Sequence, residues 1–321
     1  MRSLLGTIAC IAAFISSPAF AEARTERVFF TSQGERMAGT LYLPEDAGNT
    51  VPAPAVVVTG AWMTVKEQMP ARYARELADR GFVALTFDFR GWGESGGTRR
   101  QFEDPSSKIA DIMAAAAYLT TLPGIDAERI AGLGICASSG YMVHAAAVTP
   151  ALKAVALVAP WLHDRAIVSE TYGGSDGVAA LIASGDAAEA SFKTSGRQAF
   201  VPAASLTDRS AVMFGVPYYT EAGRGLIPAW RNEADPAFWR SWLTFDAIQA
   251  APRLTQPFLM IHSNAAAIPQ GARKFYASVR APKDQLWLDD VTQFGFYDGD
   301  APVRASANAV AEHFRNVLGD R

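Results

Sequence analysis

Residues 53–59, APAVVVT, form a near-continuous apolar run, the pattern of a parallel strand covered on both faces. The pattern returns at 82–87, 129–135, 154–158 and 257–262, with a shorter run at 285–288. Between these runs the apolar positions take helical spacing. Residues 71–80, ARYARELADR, are amphipathic and stop at Gly81, where helices commonly end. The segments 105–121, 139–148, 271–279 and 302–318 read as further helices. Near the start, 27–31 and 37–43 read as two strands joined by the turn residues Gln33-Gly34. Strands alternating with helices predict an α/β fold whose mostly parallel sheet carries helices on both faces.

The alternation lapses from about residue 160 to 245, a block rich in aromatic residues from Trp161 and Tyr172 to Trp239 and Trp242. An insertion of this length in a repeating sheet reads as a helical cap over the carboxyl edge of the strands. Its aromatic residues either line an apolar pocket or form the cap's own core, and the sequence leaves both open.

Composition narrows the class. Of the 321 residues, 50% are apolar and 19% charged, and the net charge is −3, which fits a globular protein and gives no basic surface for nucleic acid. Residues 1–21 carry Arg2, an apolar stretch from Leu4 to Ile15, and the small-residue end Ala19-Phe20-Ala21. This is the layout of a secretory signal peptide, too short for a membrane span, so the expected product is an exported, periplasmic or secreted domain of residues 22–321 with no stable membrane insertion. A lipid anchor on Cys10 fits poorly, because the apolar stretch runs on past it. Cleavage after Ala21 removes Arg2 and Cys10, leaving Cys136 as the single cysteine, so no internal disulfide can form. A lone thiol in an oxidising compartment is either buried and inert or kept for its chemistry.

Its position argues for chemistry. In IAGLGICASSGY, residues 130–141, a strand runs into a turn of small residues and then a helix, with Cys136 where the G-x-S-x-G elbow carries its serine. Such a turn holds a nucleophile clear of the sheet, and the helix start supplies backbone N–H groups for a thiolate or an oxyanion. A literal G-x-S-x-G match lies elsewhere, at Gly93-Glu94-Ser95-Gly96-Gly97, but no helix follows at once and it reads as loop architecture.

With these motifs the chain resembles the α/β-hydrolase superfamily, and within it the dienelactone-hydrolase-like proteins, which keep a cysteine at the elbow. VVVTGAWMTVKEQM is similar to the strand and oxyanion loop, FDFRGWGESGG to the next strand and loop, and GICASSGY to the elbow. The resemblance implies an α/β-hydrolase fold, Cys136 as nucleophile, and an oxyanion hole from the N–H of Ala137 with that of Ala61 or Trp62. It also implies Glu67 as the carboxylate partner of the thiol. Read without the resemblance, Glu67 is a carboxylate placed favourably at a helix start.

An acyl-transfer triad further needs a base and an orienting acid. No Asp or Glu occurs between His262 and Lys283, where the acid is expected, and Gln293 stands where the histidine would align. Glutamine takes no proton at neutral pH. The chain has four histidines. His144, His262 and His313 read as packing or surface residues, and His163 is the first candidate base, with Asp164 or Asp289 as its carboxylate. No metal or organic cofactor is implied, since there is no ligand cluster or phosphate loop and Gly91, Gly93, Gly96 and Gly97 lack dinucleotide-binding spacing. The expectation is an exported hydrolase of an ester, thioester or lactone acting through Cys136 on a small-molecule substrate. The alternative is a non-catalytic member of the fold that binds a small apolar ligand beneath the cap.

Overall fold

The computed structural model describes residues 24–45 and 52–319; the leader read at 1–21, with Cys10, lies outside them. In chain order the strands are β1 (Arg24–Ser32), β2 (Glu35–Leu43), β3 (Ala53–Thr59), β4 (Val83–Phe87), β5 (Ile125–Ile135), β6 (Ala154–Val158), β7 (Ala204–Ser205), β8 (Met213–Phe214), β9 (Phe258–His262) and β10 (Lys283–Trp287). The helices are α1 (Met69–Ala78), α2 (Pro105–Leu119), α3 (Ser138–Ala146), α4 (Arg165–Thr171), α5 (Gly174–Ser195), α6 (Trp239–Thr244), α7 (Pro269–Ser278), α8 (Gly295–Asp298) and α9 (Asp300–Leu318).

Eight strands form the main sheet in the order β1-β2-β4-β3-β5-β6-β9-β10. β2 runs antiparallel to its neighbours β1 and β4, and every pairing from β4 to β10 is parallel. Val56, Val57 and Val58 at the centre have no solvent exposure, which is why β3 reads as an unbroken apolar run rather than an alternating one. β10, at the sheet edge, is only partly covered and correspondingly starts with polar residues. Two helix groups cover the sheet, α1 with α8 and α9, and α2 with α3. The expected alternation is therefore present. β5 begins at Ile125, earlier than the apolar run that signals it, and α8 occupies a stretch read as loop.

Between β6 and β9 lie α4, α5, the small β7/β8 pair and α6. The long helix α5 is bounded by two glycines in the left-handed region, Gly173 (φ 82°) and Gly196 (φ 68°). It seats Gly185 on Trp239, where an added Cβ would meet the Trp239 side chain at 3.1 Å. Arg99, in the loop after β4, ties this segment down by ion pairs to Glu189 at 2.5 Å and Asp235 at 2.9 Å. The aromatic side chains reach back to the loop after β3: Trp242 stacks on Trp62 with ring centroids 4.7 Å apart.

Candidate active site

β5 delivers the chain into a sharp turn at Cys136, whose φ of 57° is in the left-handed region. For a residue with a Cβ this conformation costs about 1–2 kcal/mol. Three backbone hydrogen bonds hold it: Cys136 N–H to Val158 O (3.1 Å), and Ser139 N–H and Trp161 N–H to Cys136 O (3.1 and 3.0 Å). The small residues around the turn have a steric reason. A Cβ on Gly134 would lie 2.8 Å from Ser139 Cα, and one on Gly132 would lie 2.4 Å from Met142 Sδ. Only glycine lets α3 come that close behind the elbow.

The thiol is buried, which pushes its pKa up. Three donors oppose that effect, the Tyr297 hydroxyl and the backbone N–H groups of Ala137 and Trp62, with the polar Gln293 amide beside them. Hydrogen bonds to a charged form favour it, so this set offsets part of the desolvation of a thiolate, and burial still leaves the pKa raised. Of the residues expected in the oxyanion hole, Ala137 and Trp62 turn their N–H groups to the sulfur. Ala61 instead supplies its carbonyl to the Thr64 hydroxyl at 2.7 Å and so shapes the loop.

The Trp62 donor is held by its neighbour Met63, itself at φ 58°. Met63 N–H donates to the buried Glu103 carboxylate (3.2 Å), and its carbonyl accepts from the Trp230 indole (2.7 Å). Glu103 also accepts from the Tyr141 hydroxyl (2.7 Å) and from Lys108 Nζ (2.8 Å). Burial lowers the Lys108 pKa, while Glu103 works against that.

Gln293 occupies the place expected of a histidine and is fully engaged. Its Nε2 donates to Ala159 O (2.9 Å) and to the Tyr297 oxygen (3.0 Å), and its Oε1 accepts from Ala267 N–H (3.0 Å). Ala267, beyond β9, thus presents a backbone N–H where an acid would orient a base.

The structure does not bring Glu67 or His163 to the thiol. Glu67 is more than a third exposed and pairs with Lys66 Nζ at 2.5 Å, beside Asp88 and Glu94 at 2.8 Å each. These carboxylates are the one grouping of ligand type among the described residues, and the Lys66 ammonium sits among them. Burial disfavours the charge on Lys66, yet its carboxylate partners raise its pKa overall. His163 is buried with its Nδ1 accepting from the Trp161 indole (2.9 Å) and its ring edge-on to Trp242 (4.5 Å). Burial lowers its pKa to about 4. Asp164, expected as its carboxylate, instead caps α4 and pairs with Lys274, and Asp289 is exposed. The other histidines are engaged too. His262 accepts from Ser263 N–H (2.7 Å) and stacks on Trp287, His144 bonds Asp246 O (2.9 Å), and His313 packs on Phe314.

Tyr297 and Glu103 are the site residues that sequence reasoning missed. Tyr297 lies four positions after Gln293, the spacing that puts two side chains on one helix face, and that was the available signal. Nothing local marks Glu103.

Comparison with known proteins places this geometry. The uncharacterized protein PA2218 of Pseudomonas aeruginosa is 30% identical over 295 residues, covering 88% of this chain and 78% of that one. Its crystal structure superposes with a TM-score of 0.80 at 27% identity over 94% of this chain and 96% of that chain. A thiohydrolase, aneE, of Aspergillus aculeatus is 34% identical over 136 residues, 42% of this chain and 41% of that protein. The dienelactone hydrolase of Anabaena variabilis, 12% identical with a TM-score of 0.57 over 93% of this chain and all of that one, shares the fold. The α/β-hydrolase resemblance therefore holds, and a dienelactone hydrolase is among the structures that share the fold. The model of the X-Pro dipeptidyl-peptidase (S15) family matches residues 33–292, most of the chain, and the protein belongs to that family of hydrolases with the α/β-hydrolase fold.

Proposed function

We propose that this protein is an exported enzyme that takes an acyl group from an ester, thioester or lactone onto Cys136. One observation carries the reading: at a strained elbow, the N–H groups of Trp62 and Ala137 converge on the sulfur, where they can next hold the oxyanion of a substrate carbonyl. In the course envisaged, the thiol gives its proton to solvent and the thiolate adds to the carbonyl carbon. The carbonyl pair moves to the oxygen and returns to expel the leaving group. An amine leaving group needs a general acid, which Gln293 is not. A thiolate leaving group departs unprotonated, and because burial raises the basicity of the Cys136 thiolate an ordinary thiolate is the better leaving group of the two, which favours thioesters within the class. The thiohydrolase among the relatives points the same way.

Release to water is the slow half, because no base is placed to activate it. The acyl-enzyme therefore accumulates. A second reading, ligand binding without turnover, is favoured by the complete engagement of Gln293 where a base would stand. Export rests on the pattern of residues 1–21, and cleavage after Ala21 on expression with its leader tests it by N-terminal mass.

The activity test is rapid mixing with an N-acetylcysteamine thioester and a p-nitrophenyl ester. A burst of one leaving group per chain, followed by slow turnover and lost in Cys136→Ala, supports the enzyme. Binding without a burst supports the second reading.

A further inference from the structure

We infer that Tyr297 takes the place of the triad histidine as the side-chain partner of Cys136, as a hydrogen-bond donor to the sulfur rather than as a base, and that Gln293 positions it. The amide orientation of Gln293 is fixed by groups with one possible role each. Ala267 offers an N–H, which only donates, at 3.0 Å from Oε1; Ala159 offers a carbonyl, which only accepts, at 2.9 Å from Nε2. The remaining Nε2 hydrogen then points to the Tyr297 oxygen at 3.0 Å. Tyr297 must accept there, and its other neighbours are the Cys136 sulfur and the Tyr219 hydroxyl; Tyr219 can donate to the second lone pair of the Tyr297 oxygen, which leaves the Tyr297 proton for the sulfur. The phenol has little room to turn away: it is 2% exposed, with Tyr218 and Phe294 edge-on at 5.1 and 5.6 Å.

The groups around the sulfur fit this role. The ionisable side chains that sense its charge are Tyr297 from α8, Tyr219 from the inserted segment, Tyr172 at the end of α4 and Tyr141 from α3, with Glu103 behind Tyr141. Each phenol is held neutral by burial, which leaves hydrogen bonding rather than proton exchange as what it offers. When a carbonyl enters, its oxygen draws the Trp62 and Ala137 N–H groups away from the sulfur. Tyr297, held in place by Gln293, then remains as the side-chain donor that keeps the thiolate poised until its pair enters the new C–S bond.

This inference rests on the proposed acyl transfer for its purpose, but it can be tested apart from it. Titrating the ultraviolet absorbance of the thiolate, each protein minus its matching Cys136→Ala variant, reads ionisation without turnover. For Tyr297→Phe the midpoint should rise by about one pH unit relative to the parent, the scale of one lost hydrogen bond to a charged group. Thiolate nucleophilicity rises with basicity by roughly half as much on a logarithmic scale, so the rate of the acylation burst should fall about threefold at neutral pH and rise about threefold above both midpoints. That crossing of the two pH profiles is a signature a merely structural role would not give. A thermal melt matching the parent shows that the variant folds. An unchanged midpoint overturns the inference, and so does a parent thiol that stays protonated up to about pH 10, since the donors then do not hold a thiolate. If the midpoint shifts as stated but no acyl-enzyme forms with any thioester, the hydrogen bond stands and the proposed function falls.

Discussion

The molecule contains two turns that stand in different relation to the G-x-S-x-G motif, Gly134-Ile135-Cys136-Ala137-Ser138, which keeps its first glycine and its backbone context, and Gly93-Glu94-Ser95-Gly96-Gly97, which matches its letters, and it uses them in opposite ways. In the first, glycine is needed because helix α3 crosses close behind β5, and the side chain at the turn projects into a ring of donors. In the second, glycine is needed because polar groups crowd in. A Cβ on Gly93 would lie 2.3 Å from the Asp88 carboxylate, and one on Gly91 would lie 2.3 Å from Arg99 O. The Ser95 hydroxyl is consumed there, donating to Asp88 O (2.5 Å) and accepting from Ala38 N–H (2.9 Å). A nucleophile needs a proton that a base can take. Ser95 commits its proton to a backbone carbonyl, which cannot take it, so backbone context decides what the letters mean.

The comparison breaks most sharply at the side chains themselves. Cys136→Ala should abolish the acylation burst completely, whereas Ser95→Ala should leave it at one leaving group per chain; a burst that follows Ser95 would reverse the assignment of the two turns.

A large effect is expected on stability in acid. His163 and His262 are buried with pKa values near 4. Both are depressed from the unfolded value of about 6.5, so the unfolded chain binds more protons and stability is lost as pH falls from about 6.5 towards 4. Full expression of the shift is about 3 kcal/mol for each residue. Urea melts across that range check it, and a flat profile would mean that neither ring is held neutral. His163→Phe should remove roughly half of the slope, which marks this histidine as packing rather than as a base for the elbow.

Gln293→His is the change that sharpens the account of the elbow. It places a general base at the thiol and should speed deacylation by about a hundredfold, the low end for such groups, because Ala267 offers an N–H instead of an orienting acid. Steady-state release after the burst is the measurement, and no gain would mean that access of water rather than a base limits turnover. The smallest effect belongs to the other turn, where Ser95→Ala should cost about 1–3 kcal/mol by leaving the buried Ala38 N–H without its acceptor.

The same contrast explains what the sequence discloses. The sheet is legible because its central strands are buried on both faces, which writes apolar runs such as Ala55 to Val58 into the chain. The elbow, the loop after β3 and the odd Gln293 are legible because each is a local departure from an expected pattern. Partners brought together by tertiary packing are not. Glu67 sits in the right stretch but turns to Lys66, and His163 follows β6 as expected but is enclosed by Trp161 and Trp242. Tyr297 reaches the sulfur only because a short helix forms at Gly295–Asp298 between β10 and α9, in residues that read as loop. Glu103 is an acidic residue before a helix in the sequence, and becomes the clamp on Met63 only when Lys108 and Tyr141 enclose it.

The central claim is that Cys136 accepts an acyl group. Its most direct test is intact-mass analysis after mixing the protein with an N-acetylcysteamine thioester, followed by peptide mapping. The account predicts one added acyl group per chain, on the peptide containing Cys136, outlasting the burst. A chain that stays unmodified, or that carries the same adduct in Cys136→Ala, would contradict it.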